Sequence, residues 1–158
     1  MKKILFLRAN SGWKDPSPPL AFSYLGKIAK DNGFEVLVEN LNAQYNNKTT
    51  EDIINLIKEE KPSIVGISIF TNYAIDSYEL LKKIRKYCEL IIVGGPHVTI
   101  YPEECLEMGA DIAFIGEAEN SFQKLLKVLN SDGKLEKVEG IVYKKGDKIN
   151  KTEIPKPI

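Results

Sequence analysis

Short continuous runs of apolar residues recur along the chain, at Ile4 to Leu7, Phe34 to Val38, Ser63 to Ile69, Leu90 to Val93 and Asp111 to Ile115. Runs this short and this uninterrupted predict strands buried on both faces. Between them, apolar positions return every three or four residues, the period of an amphipathic helix. One helix is expected from Leu20 to Asn32, opened by Pro18-Pro19 and stopped by Gly33. A second runs from Glu51 to Glu60, with Thr50 as its cap and Pro62 as its breaker. Others follow from Ala74 to Tyr87, from Pro102 to Met108 with Gly109 at the end, and from Ser121 to Leu129. After Val138 the period shortens to that of a hairpin, Val138 to Tyr143 and Lys148 to Lys151 around Lys145-Gly146-Asp147. The pattern divides the chain into an α/β domain over residues 1–137, a hairpin extension over 138–151 and a linker-like tail over 152–158.

Five βα units in succession imply a parallel sheet with helices on both faces and right-handed crossovers. The expected fold is α/β, a flavodoxin-like (Rossmann-like), doubly wound, five-stranded parallel sheet plus the C-terminal hairpin. In that order the loops after the first, third, fourth and fifth strands gather at one sheet edge, where open α/β folds bind ligands. Two strands end there in bare backbone, at Gly94-Gly95-Pro96-His97 and at Gly116-Glu117-Ala118-Glu119.

Composition narrows the occupant. Lysines plus arginines equal aspartates plus glutamates, 22 each, and they are interspersed along the helices, which argues against nucleic acid as a partner. No apolar run approaches the roughly 20 residues of a membrane span, so no membrane partner and a cytoplasmic location are expected. Cys88 and Cys105 read as reduced, buried thiols, too far apart in sequence for a metal-ligand pair. The loop after the first strand, Arg8-Ala9-Asn10-Ser11-Gly12-Trp13, is neither GxxxxGK[ST] nor GxGxxG. Ile67-Ser68-Ile69-Phe70 lacks both the carboxylate of a phospho-receiver and the GxSxG elbow of a hydrolase. No residue is assigned a catalytic or metal-ligating role.

The residues at the strand ends resemble the amino-terminal cobalamin-binding domain of cobalamin-dependent radical S-adenosylmethionine enzymes. The resemblance spans nearly the whole chain. It is carried by Pro18-Pro19-Leu20 ahead of Tyr24-Leu25, Ser68-Ile69-Phe70-Thr71, Gly94-Gly95-Pro96-His97-Val98-Thr99 with Pro102-Glu103-Glu104, and Gly116-Glu117-Ala118-Glu119. It implies a module that holds cobalamin for methyl transfer or radical chemistry performed by a radical S-adenosylmethionine barrel, in cis beyond Ile158 or in trans. Such barrels hold an iron–sulfur cluster on closely spaced cysteines, and no CxxxCxxC occurs here, so no cluster and no catalysis by the chain alone are expected. Other cobalamin modules place a cobalt-ligating histidine in the loop after the first strand. Residues Asn10 to Pro19 contain none, and the resemblance implies a base-off, His-off cofactor.

On that reading Gly94 and Gly95 floor a slot for the nucleotide tail, and a bulky residue at 95 would block it. Ser68 and Thr71 offer short hydroxyls, and Pro18, Pro19 and Leu20 form an apolar rim under the corrin. Pro96, Gly116 and Glu117 complete the expected contacts, with Glu119 assigned to helix capping. His97, the only histidine, is expected to bond the tail or corrin amides or to hold its loop, and not to ligate cobalt. Trp13 is a candidate corrin contact, and Tyr24, Tyr73, Tyr78 and Tyr101 read as packing residues. The alternative is a Rossmann-like regulatory or interaction domain that binds a nucleotide, a flavin or no cofactor, because fold alone does not set function.

Overall fold

The computed structural model describes residues 1–10, 17 and 19–154. Strands β1 (Lys3–Arg8), β2 (Glu35–Asn40), β3 (Ile64–Ser68), β4 (Leu90–Gly94) and β5 (Ile112–Phe114) are parallel and lie in the order β2-β1-β3-β4-β5, the flavodoxin order the pattern predicts. The hairpin strands β6 (Ile141–Lys145) and β7 (Lys148–Lys151) continue the sheet antiparallel from β5, so it has seven strands where the sequence suggested five and a separate hairpin. The extension pairs the outer edge of β5, whose N–H and C=O groups would otherwise stand open, and buries Ile141, Val142 and Tyr143.

Alternation along each strand sorts the core into two layers. Ile4, Phe6, Ile64, Ile92, Ile112 and Phe114 face helices α1 (Leu20–Asp31) and α6 (Glu119–Asn130), which supply Phe22, Ala29, Phe122, Leu125 and Leu126. Leu5, Leu7, Val65, Ile67, Ile91 and Val93 face α2 (Thr50–Glu60), α3 (Ala74–Ile84) and α5 (Pro102–Glu107). Among the described residues no helix is long and apolar enough to cross a membrane.

Local chemistry sets the element ends. Thr49, not Thr50, caps α2, because Asp52 completes a capping box with it: Thr49 N–H donates to Asp52 Oδ2 at 2.7 Å and Asp52 N–H donates to Thr49 Oγ1 at 3.3 Å. Helix α3 stops at Ile84 and tightens into a 3₁₀ turn over Arg85–Tyr87. The Asp111 carboxylate holds that connection, accepting from Arg85 at 2.6 Å and from the Ile91 backbone N–H at 2.7 Å. A further helix, α4 (Pro96–Ile100), stands where the sequence suggested only loop; proline at its first position fits it to start a helix. Cys105 is buried as expected, whereas Cys88 is half-buried beside that turn.

Candidate functional site

The site begins with a glycine inside a strand. Gly66 lies in β3 between Phe6 of β1 and Ile92 of β4. A Cβ there would fall 2.8 Å from the Phe6 ring, so only bare backbone lets that ring lie against the sheet. Phe6 stacks on Phe22 at 5.3 Å and 19° and meets Phe122 edge-on at 5.9 Å; Phe122 in turn meets Phe114 at 6.2 Å. Toward the carboxyl ends of the strands this aromatic wall borders a cavity of about 200 Å³, closed by Leu25, Ile92 and Ala118 and opening past Ser68, Gly94, Gly95, Pro96, Gly116 and Glu117.

The two central glycines do different work. A Cβ on Gly94 would make only an ordinary van der Waals contact, with Phe114 Cβ at 3.9 Å, so a Cβ fits there without displacing a neighbour. Gly95 has φ +111°, and a Cβ on it would lie 2.6 Å from the Ile69 carbonyl oxygen. That crowding reflects a backbone tie: Ile69 N–H donates to Gly94 O at 2.8 Å, and His97 N–H donates to Ile69 O at 3.3 Å. A bulky residue at 95 would therefore strain the loop itself, which corrects the expectation that it would act only on a slot. Thr99 stitches the next pair of loops, its hydroxyl donating to Gly95 O at 3.2 Å and accepting from Gly116 N–H at 3.0 Å.

Of the residues singled out in the sequence, Ser68, Gly94, Gly95, Pro96, Gly116 and Glu117 share the cavity, and so does Glu119. Pro19 borders a separate groove between α1 and β2, and Leu20 is exposed at the start of α1; neither lines the cavity. Pro18 and Trp13 lie outside the described residues. Thr71 and His97 stand together but do not line the cavity. The buried His97 ring is held with Nε2 2.8 Å from Tyr78 Oη and Nδ1 3.3 Å from Thr71 Oγ1. Tyr78 Oη also lies 3.5 Å from Cys105 Sγ; burial drives this phenol above its ordinary range and pushes the Cys105 thiol up. Cys88 is likewise pushed up, to about 11, by burial, so both thiols stay protonated at neutral pH. Tyr73 and Tyr78 pack as expected; Tyr24 is 62% exposed, and Tyr101, though 48% exposed, lies against the His97 ring at 5.1 Å.

Arg8 ends β1 at the same edge, its Nε donating to Tyr73 Oη at 2.9 Å and its guanidinium lying over the rings of Phe70 and Tyr73. Among the described residues no group of three His, Cys, Asp or Glu side chains is placed to hold a metal ion. Sequence reasoning missed Gly66 and the four phenylalanines, and read Thr99 only as part of its motif. Gly66 alone carried a signal, as an isolated glycine in an apolar run.

The sequence pattern of the family described as the B12 binding domain matches residues 13–126. An uncharacterized methyltransferase of Pyrococcus horikoshii is 31% identical over 147 residues, covering 89% of this chain and 31% of that protein. Cytidylyl-2-hydroxyethylphosphonate methyltransferase of Streptomyces wedmorensis is 30% identical over 148 residues, covering 82% of this chain and 28% of that protein. The chain thus spans about a third of the length of these relatives. Among solved structures, the radical S-adenosylmethionine methyltransferase TsrM of Kitasatospora setae, with cobalamin and a [4Fe-4S] cluster bound, superposes with TM-score 0.84 at 18% identity, over 98% of this chain and 29% of that one. The cobalamin-dependent S-adenosylmethionine radical enzyme OxsB, with aqua-cobalamin and S-adenosylmethionine bound, gives 0.83 at 19% identity, over 99% and 23%. These two likenesses establish the shared fold.

Proposed function

Because the chain belongs to the B12-binding domain family, we propose that it holds cobalamin with the nucleotide tail in the cavity between α1, α6 and the sheet, and the corrin at the strand ends outside it. The observation that carries this reading is the aromatic-walled cavity opening at bare glycine backbone on the carboxyl edge of a parallel sheet. Its size suits a flat bicyclic ring, since a dry cavity of roughly 150 Å³ already accepts benzene. The rings of Phe6, Phe22, Phe114 and Phe122 would pack against the tail's base, and Gly94 would leave it room. Ser68 would offer the base a hydroxyl, and Glu117 at the rim would accept from a ribose hydroxyl. Pro96 and Gly116 would frame the mouth, while Pro19 and Leu20 would supply apolar surface toward the corrin.

Cobalamin, when bound, supplies a cobalt centre that can carry a methyl group. Thr71 and His97 act on the loops instead of on the metal. The His97 ring already engages Tyr78 and Thr71 through both nitrogens, which supports a base-off, His-off cofactor. The chemistry served is methyl transfer or radical chemistry on a radical S-adenosylmethionine domain, joined in cis or met in trans. The methyltransferase names of the relatives, and the third of their length that this chain spans, support that assignment.

The protein incubated with hydroxocobalamin and then desalted is expected to keep the corrin absorbance in stoichiometric amount. After reduction to cobalt(II), electron paramagnetic resonance is expected to show cobalt lines without nitrogen splitting. Loss of all colour on desalting would refute cobalamin binding. Splitting that vanishes in His97→Ala would keep cobalamin binding and refute the His-off assignment.

A further inference from the structure

We infer that the cavity selects its ligand by tail base, accepting benzimidazole-type bases and disfavouring purines such as adenine. The inference rests on the tail occupying this cavity. Its physical ground is the shortage of polar partners along the walls. Phe6, Leu25, Phe114 and Phe122 present only hydrocarbon. Three backbone groups at the mouth are already engaged: Gly94 O accepts from Ile69, Gly95 O from Thr99, and Gly116 N–H donates to Thr99. The polar side chains that border the cavity are Ser68 and, at the start of α6, Glu117 and Glu119.

A benzimidazole joined to its ribose retains one free ring nitrogen, which one hydroxyl at Ser68 can satisfy. Adenine brings an exocyclic amine and further ring nitrogens; away from the rim, where Glu117 and Glu119 stand, those seated beside the phenylalanine rings would leave water without finding partners. Each buried polar group left unpaired weakens binding about tenfold or more. Dimethylbenzimidazole replaces those groups with methyls that gain by burial. The asymmetry is the one by which an apolar pocket rejects a more polar analogue of similar shape.

The test titrates the protein with cobalamin, with the adeninyl analogue of cobalamin, and with cobinamide, which has the corrin but no nucleotide. Cobalamin is expected to bind at least about tenfold more tightly than the adeninyl form, with the adeninyl form close to cobinamide. Equal affinities for cobalamin and the adeninyl form would overturn the selection. Cobinamide binding as tightly as cobalamin would overturn the placement of the tail on which it rests, and no binding by any of the three would instead refute cobalamin binding itself. Leu25→Gln sets an amide in the wall at a half-buried position of α1. It is expected to narrow the preference by strengthening adeninyl binding, and an unchanged ratio in a folded variant would count against the inference.

Discussion

Gly94 and Gly95 are adjacent and chemically identical, yet the space around them makes opposite predictions. Gly94→Leu projects a side chain into open cavity from ordinary backbone, with Phe114 Cβ the nearest neighbour at 3.9 Å. It is expected to lower cobalamin affinity by at least about tenfold through steric exclusion, with little loss of thermal stability. Gly95→Ala puts even a methyl against the Ile69 carbonyl at a φ of +111°, so it should lower the melting temperature whether or not ligand is present. Calorimetry and titration of the two variants separate the roles; equal stability losses would contradict them. The sequence singled out this glycine pair, because a parallel strand ending in bare backbone has few explanations. It could not show which glycine has room for a side chain and which is pinned against the chain, since that depends on Ile69, about twenty-five residues earlier and brought close by the pairing of β3 with β4. His97 shows the same limit. Its position beside the glycines left open a contact to the tail or corrin amides or a role in holding its loop, and its partners in the structure, Tyr78 and Thr71, lie on another helix and another loop.

At the scale of elements, β3 carries the site more than its neighbours do. Its alternation sends Ile64, Gly66 and Ser68 to the α1–α6 face, and Gly66 is where the row would otherwise be too tall for Phe6. Gly66→Ala would push the Phe6 ring off the sheet, and the cavity beside it is the open direction. Overpacking of this kind costs about 1–3 kcal/mol, and the variant is expected to lose stability and cobalamin affinity together. Retained affinity at reduced stability would show that the ring yields in some other direction. The strands and most helices were legible because apolar runs and helical periods are local. The two-strand extension of the sheet was legible only as a hairpin, since where a hairpin docks depends on which edge lies open. Helix α4 was hidden by its length: five residues from Pro96 to Ile100 carry too little period to read. The aromatic wall was hidden for a different reason. Phe6, Phe22, Phe114 and Phe122 read as ordinary core, and only the helix-to-sheet spacing turns their edge into a cavity.

For the whole molecule, the cavity joins parts far apart in the chain. Its walls come from β1, α1, β3, β4, β5 and α6, so a ligand seated there contacts both ends of the α/β unit. Such a ligand binds the folded state alone, because no unfolded chain assembles those walls. Linkage then fixes the consequence: at a free concentration one hundred times Kd the folded state gains about 2.7 kcal/mol. For a domain of this size each kcal/mol moves the midpoint by about 2–4 °C. Cobalamin is therefore expected to raise the melting temperature by about 5–10 °C at that excess, and further with each increase in concentration. Hydrogen exchange should slow where α1 and α6 begin and in the loops after β3 and β4, and change little in the β6–β7 hairpin, none of whose residues borders the cavity. Cobinamide, lacking the tail, should leave the α1 and α6 starts nearly unprotected. A melting temperature independent of cobalamin concentration would refute binding to the folded state. Protection confined to the outer loops would show that the corrin alone is held and that the aromatic cavity stays empty.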